Sequence, residues 1–291
     1  MTMLSASISR LPAVFVVAFG LLCCAANAQV GWVQTKAGDL PMTVVYPTDV
    51  KEALQKLGPF DISVALDATP SNGNGRLVVL SHGTGCDALT LHGLASTLAR
   101  ASFVVLQPEH KGDNWQDQND SGPVSWKGRP LEVSQAIDAI AKDPRSKDEA
   151  AQRAQAYFKP QPAGAGELLG GSRLRDLRVT AVAVSVPVGA IFTSASLAAI
   201  RIPVGIVQAD SDRLLPPRFH SSYVLANCSR CESLDTVVGA GHFDVLWPWP
   251  DVIAQGSARV PGGARNPAID DARRRRSDNA VARFFSKNLL P

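Results

Sequence analysis

Leu77-Val78-Val79-Leu80 runs directly into Ser81-His82-Gly83-Thr84-Gly85, and a little further on Phe103-Val104-Val105-Leu106 runs into Gln107-Pro108-Glu109-His110. Both strand segments are apolar at every position. Neither keeps a face for water, which is the pattern of strands in a sheet covered by helices on both sides. Between them, Leu89 to Ala101 carries apolar residues at helical spacing. A buried strand, a helix and a second buried strand in so short a span predict a parallel crossover, and with it an α/β fold.

Upstream, Met42-Thr43-Val44-Val45-Tyr46-Pro47 and Phe60-Asp61-Ile62-Ser63-Val64-Ala65 alternate, as half-exposed strands do, and are expected to be antiparallel edge strands. Downstream, a polar loop with Asp113, Asn114, Trp115 and Asp117 leads to a helix opened by Pro130, with Val133, Ile137, Ile140 and Ala141 on one face. It stops near Asp143-Pro144. Another buried strand is due next, but residues 146–157 are polar, alanine-rich and helix-prone, and 160–171 form a Pro/Gly loop. The sheet resumes at Leu177–Val184, followed by a short helix over Ser194–Ile200. Val204–Val207 then leads into Asp210-Ser211-Asp212, and Thr236-Val237-Val238 into Gly239-Ala240-Gly241-His242. A last helix over Asp271–Leu289 packs Val281, Phe284 and Phe285 on the sheet.

At the amino end a lone Arg10 precedes an apolar run from Leu11 to Cys24 and then Ala26-Asn27-Ala28. This is the layout of a secretory signal peptide over residues 1–28, cut before Gln29. The run is shorter than the roughly 20 residues that cross a bilayer, so no stable membrane span is expected after cleavage. Residues 29–291 then form one α/β domain exported to the periplasm or the medium. The net charge of +3 predicts no strong field toward nucleic acid. The basic run Arg273–Arg276, flanked by Asp270, Asp271 and Asp278, reads as a solvated helix face. Cys86, Cys228 and Cys231 remain after processing, an odd number that leaves at least one thiol unpaired within the chain; Cys228 and Cys231 either bridge or simply pack. No metal-ligand spacing and no cofactor motif is present.

Four motifs fall at strand ends: Ser81-His82-Gly83-Thr84-Gly85, Pro108-Glu109-His110-Lys111-Gly112-Asp113-Asn114, Asp212 with Pro216-Pro217 after it, and Gly239-Ala240-Gly241-His242-Phe243-Asp244. In that order, from about Met42 to Leu289, the chain resembles the secreted dienelactone-hydrolase-like branch of the α/β-hydrolases, related to platelet-activating-factor acetylhydrolases. The resemblance implies a mostly parallel central sheet flanked by helices and a Ser-His-Asp type site acting on a small-molecule carboxylic ester. It implies that His242 is the general base and that Asp212, ahead of Asp210, orients it. For Asp210 the competing reading is a turn or cap. It further implies oxyanion donors in the loop of Thr84 and Gly85, with Gly83 and Gly85 admitting a substrate carbonyl close to the backbone. His110 is expected to be a packing or hydrogen-bonding residue near the site.

The expected G-x-S-x-G nucleophile turn has no complete copy in the sequence. Gly170-Gly171-Ser172-Arg173-Leu174 ends in leucine and follows a loop, Ser185 ends the next strand, and Cys86 sits in the oxyanion loop. Ser185 and Ser172 are therefore only weak candidates, and the nucleophile is unassigned. The strand and turn that would carry it are expected to be missing between Pro144 and Ser146. That would force the Leu77 and Leu177 strands either to pair directly or to leave backbone groups unsatisfied. Two functions follow: an ester hydrolase, or a non-catalytic pseudo-hydrolase that binds an ester-like ligand.

Overall fold

The computed structural model describes residues 28–141, 176–246 and 249–291. The signal segment through residue 27, the expected deletion with the helix-prone and Pro/Gly segments that follow it, and Ser172 lie outside the described residues.

Among the described residues nine strands form two sheets. The first holds β1 (Gln29–Ala37), β2 (Leu40–Thr48), β3 (Ala53–Leu57), β4 (Phe60–Leu66), β5 (Leu77–Val79) and β6 (Val104–Pro108) in the order β3-β4-β1-β2-β6-β5. The second holds β7 (Val182–Ser185), β8 (Val204–Ala209) and β9 (Cys231–Val237) in that order, all parallel. The crossover expected from the deciding stretch is present: β5 and β6 pair in parallel, Leu77 opposite Val104, with α1 (His92–Arg100) between them in sequence.

Four expectations need correction. The β2 strand is interior, lying between β1 and β6, because nearly every side chain along it is buried and even Thr43 is enclosed. Second, β1 and β3 were not expected as strands. β1 pairs with β2 through a two-residue hairpin in which Gly38 adopts φ +62, a conformation glycine reaches without steric cost. Third, α2 runs from Pro123 to Ala141, so Pro130 lies inside the helix rather than opening it. The missing Pro130 N–H costs one helical bond, while Ala136, Ile137 and Ile140 are buried. Finally, the sheet resumes at Val182 rather than Leu177; of the two outcomes expected there, direct pairing of β7 with β5 is not seen among the described residues.

Among the described residues, β5 pairs only with β6 and β7 only with β8. What joins the two sheets is a shared apolar core. Val78 and Leu80 from the first meet Val207, Ala209 and Val237 from the second, under Val281, Phe284 and Phe285. Those three aromatic and aliphatic side chains come from α6 (Asp271–Leu289), whose start is fixed by the Asp270 carboxylate accepting the Arg273 N–H at 2.8 Å. The remaining helices among the described residues are short: α3 (Ser194–Ala198), α4 (Ser221–Asn227) and α5 (Asp251–Ala258). Cys228 and Cys231 form a disulfide linking the end of α4 to β9, and among the described residues Cys86 is the free thiol. No helix among the described residues is long and apolar enough to cross a membrane.

The basic run is only half solvated. Arg275 and Arg276 are exposed, but Arg274 is buried and Arg273 holds Asp235 of β9 with both guanidinium nitrogens, at 2.5 and 2.8 Å. On the same helix Asp278 is buried with one carboxyl oxygen unpartnered among the described residues, and burial pushes its pKa up to about 7. An acid raised this way stabilises the fold below its unfolded pKa, about 4, and that contribution disappears as pH rises through about 7. The Asp278→Asn variant, which never ionises, is expected to gain roughly 1–3 kcal/mol over the wild type between pH 5 and pH 8. Urea titrations at the two pH values measure it. An equal offset at both would refute the burial argument.

Candidate active site

The loop after β8 and the turn after β9 bring Asp212 and His242 together. Asp212 Oδ2 lies 2.8 Å from His242 Nδ1, while its other oxygen accepts the N–H groups of Leu214 and Leu215 at 2.9 and 2.8 Å. Its carboxylate is almost fully enclosed. Burial alone would raise the Asp212 pKa, but the His242 hydrogen bond and the two backbone N–H groups outweigh it and hold the group below the usual carboxylate range. A carboxylate can only accept, so Nδ1 of His242 carries the proton and Nε2 keeps its lone pair. The imidazole is 21% exposed, and Nε2 has no hydrogen-bond partner among the described residues.

His242 opens a short 3-10 turn, His242–Val245, that Asp244 locks from below. The Asp244 carboxylate accepts the N–H of Gly241 at 2.8 Å and of Asn266 at 2.9 Å, and its carbonyl accepts Arg274 Nε at 3.0 Å. Asp210 does something different: its Oδ1 accepts the Gly239 N–H at 2.7 Å, tying β8 to the β9 turn. Of the two aspartates weighed from sequence, only Asp212 touches the imidazole.

Around the His-Gly loop the structure builds a second polar layer. Asp113, fully buried, accepts from Gly85 N–H at 3.0 Å, from Arg129 Nη2 at 2.7 Å, and from the hydroxyls of Ser125 and, at 3.4 Å, Thr84. The Gly85 N–H is therefore committed to Asp113 and is not free for an oxyanion. Thr84 is exposed, and its N–H donates to no acceptor among the described residues. Gly85 is still required by its φ of +68. An alanine at 83 would meet only Cys86 Sγ, at 3.8 Å, leaving open space over the loop. The exposed indole of Trp126 reaches Thr84 Oγ1 at 3.5 Å with its Nε1–H edge, which puts an aromatic side chain beside the loop.

Ser185 ends β7, exposed, opposite Val207 in the ladder, and is not bonded to His242. Burial pushes the Cys86 thiol up to about 11, which keeps it protonated and a poor nucleophile. His92 and His220 bond backbone groups away from the pair, Leu89 and Gly189 respectively. Sequence reasoning did not single out Arg129, Glu132, Asp244 or Arg274. Asp244 lay in a quoted motif, but the other three are ordinary helix charges until their partners are placed. Among the described residues no group of three or more His, Cys, Asp or Glu is arranged to hold a metal ion.

A six-stranded mixed sheet and a three-stranded parallel sheet joined by one core, helices over them, and an acid and a histidine beyond the carboxyl ends of adjacent parallel strands define an α/β-hydrolase-like fold. Neither a family model nor a curated protein matches the sequence. Among solved structures, the chain is similar to the ferulic acid esterase from Streptomyces cinnamoneus, with a TM-score of 0.62 over 91% of each chain at 17% sequence identity. That likeness is one of fold.

Proposed function

We propose that this protein is an exported carboxylic-ester hydrolase of the dienelactone-hydrolase-like, platelet-activating-factor-acetylhydrolase-like branch of the α/β-hydrolases. The observation that carries the reading is the Asp212–His242 pair, a buried carboxylate holding an imidazole whose Nε2 is open. In the reaction Nε2 takes the proton of the attacking oxygen and returns it to the departing alkoxide. Asp212 fixes the tautomer and stabilises the imidazolium formed between the two steps. The Thr84 N–H stabilises the oxyanion on the former carbonyl oxygen, a contribution worth about 3 kcal/mol of barrier in comparable sites. Trp126 beside Thr84 favours an aryl group on one side of the scissile ester.

The test is release of p-nitrophenol from p-nitrophenyl acetate and butyrate by the purified protein, with methyl ferulate as an aryl-acyl probe. Turnover above buffer that falls about 10⁴-fold in Asp212→Asn, where the imidazole loses its orienting acceptor, supports the reading. Stoichiometric binding of these esters without turnover would instead favour a non-catalytic ligand-binding protein.

A further inference from the structure

His110 is expected from sequence to be a packing or hydrogen-bonding residue near the site, and the structure places it in the middle of a hydrogen-bonded chain. Ser81 Oγ lies 2.7 Å from His110 Nε2, and His110 Nδ1 lies 2.6 Å from Glu132 Oε2. The serine follows β5, the histidine follows β6 and the glutamate is on α2, so three elements converge to form the chain. The histidine is fully buried while Ser81 is exposed. The Lys111 N–H donates to Glu132 Oε1 at 3.3 Å. Burial raises the Glu132 pKa above the usual carboxylate range, opposed by the Lys111 N–H and the charges of Arg129 and Lys111. With Glu132 ionised the carboxylate only accepts, so the Nδ1 proton points to Glu132 and Nε2 accepts from the Ser81 hydroxyl.

An exposed serine, a histidine within hydrogen-bond reach and a carboxylate behind the histidine are the arrangement that activates a nucleophile, recognised by geometry rather than by position in the chain. We propose that Ser81 is a nucleophilic serine, the attacking group of a Ser81–His110–Glu132 centre that takes acyl groups from activated carboxylic esters independently of His242. The inference goes beyond the reading of the Asp212–His242 pair and does not rest on it. In the first step the Ser81 Oγ–acyl bond forms, the Ser81 proton passes to His110 Nε2, and the ester C–O bond breaks with that proton going to the departing alkoxide. In the second, water attacks the acyl carbon, gives a proton to His110, and the acid leaves as that proton returns to Ser81.

The groups facing His110 are Glu132, Asp113, Arg129 and His82, whose ring lies 4.7 Å away. Burial first, then Arg129, holds the His110 pKa down to about 3. The base stays neutral at ordinary pH but is weak, so this centre turns over more slowly than one with an ordinary histidine.

A fluorophosphonate probe tests the proposal, because displacement of its fluoride by a serine oxygen leaves a stable adduct that peptide mass spectrometry can locate. The expected result is an adduct on Ser81 in the wild type and in His242→Ala, none at that position in Ser81→Ala, and labelling slowed by about 100-fold in the isosteric Glu132→Gln. The labelling rate should stay level from pH 8 to pH 5, where an ordinary histidine base would lose it. Failure of Ser81 to label, labelling that ignores Glu132→Gln, or labelling that disappears in His242→Ala would each overturn the proposal. Ester turnover that depends on His242 without a Ser81 adduct sinks this inference alone. A Ser81 adduct together with ester turnover that persists in His242→Ala and disappears in Ser81→Ala sinks the Asp212–His242 reading alone.

Discussion

His242→Ala is expected to lower kcat/KM for p-nitrophenyl esters by at least about 10³-fold, because it removes the group that both accepts and returns the proton. Loss of a triad base in a well-studied protease costs about a millionfold in kcat. A smaller loss is expected here because Ser81 and His110 remain. The activity left in His242→Ala should disappear in the His242→Ala/Ser81→Ala double variant, while Ser81→Ala alone should change the total little, because two independent centres add their rates. The fold should survive, since the turn carrying His242 is held through Asp244 by Gly241, Asn266 and Arg274 rather than through the imidazole. Steady-state kinetics on protein with a wild-type melt would check this. Unchanged turnover in His242→Ala would remove His242 from the chemistry altogether.

The parts of this molecule that were legible in its sequence are those determined within a few residues. The span of α6 is one: Asp270 caps it, and Val281, Phe284 and Phe285 recur at helical spacing. The β5–α1–β6 crossover is another, because strands apolar on both faces have no alternative to burial. The residues misread are those whose role depends on a partner far along the chain. Arg273 and Arg274 look like surface cations until Asp235 and Asp244 are brought against them. β2 looks like an edge strand because Thr43 and Pro47 interrupt its apolar pattern, yet β1 and β6 enclose it on both sides. The site divides the same way. Asp212 and His242 sit in motifs at strand ends and could be named from sequence. The commitment of Gly85 to Asp113, and the chain from Ser81 through His110 to Glu132, depend on where α2 lies over the first sheet.

That placement of α2 makes Arg129 the residue whose loss should damage the structure most. Its guanidinium donates to the Asp113 carboxylate at 2.7 Å, to Ser125 Oγ at 3.2 Å and to the His82 carbonyl, so one side chain ties α2 to the loops after both β5 and β6. Asp113 is fully buried. Burial alone would raise its pKa, but the Ser125 hydroxyl, the Gly85 N–H and Arg129 together hold it below the usual carboxylate range. Arg129→Ala removes the only cation bonded to that carboxylate among the described residues and leaves the His82 carbonyl short of a donor. Breaking a buried pair from one side typically costs about 3–5 kcal/mol, much of it the penalty for the charge left behind. The pH dependence distinguishes this cause from simple loss of packing. In the wild type the depressed Asp113 pKa stabilises the fold above the unfolded value near 4, and that stability is lost as pH falls through the folded value. In the variant the carboxyl is easier to protonate, so protonation relieves the fault rather than creating it. The deficit should therefore be largest near pH 7 and shrink toward pH 4. Arg129→Lys, which keeps the charge but not the planar fork, should recover only part of it. Urea unfolding at both pH values measures the three proteins together. A deficit below about 1 kcal/mol, or one that does not change with pH, would show that Asp113 is compensated by its hydroxyl and amide partners alone.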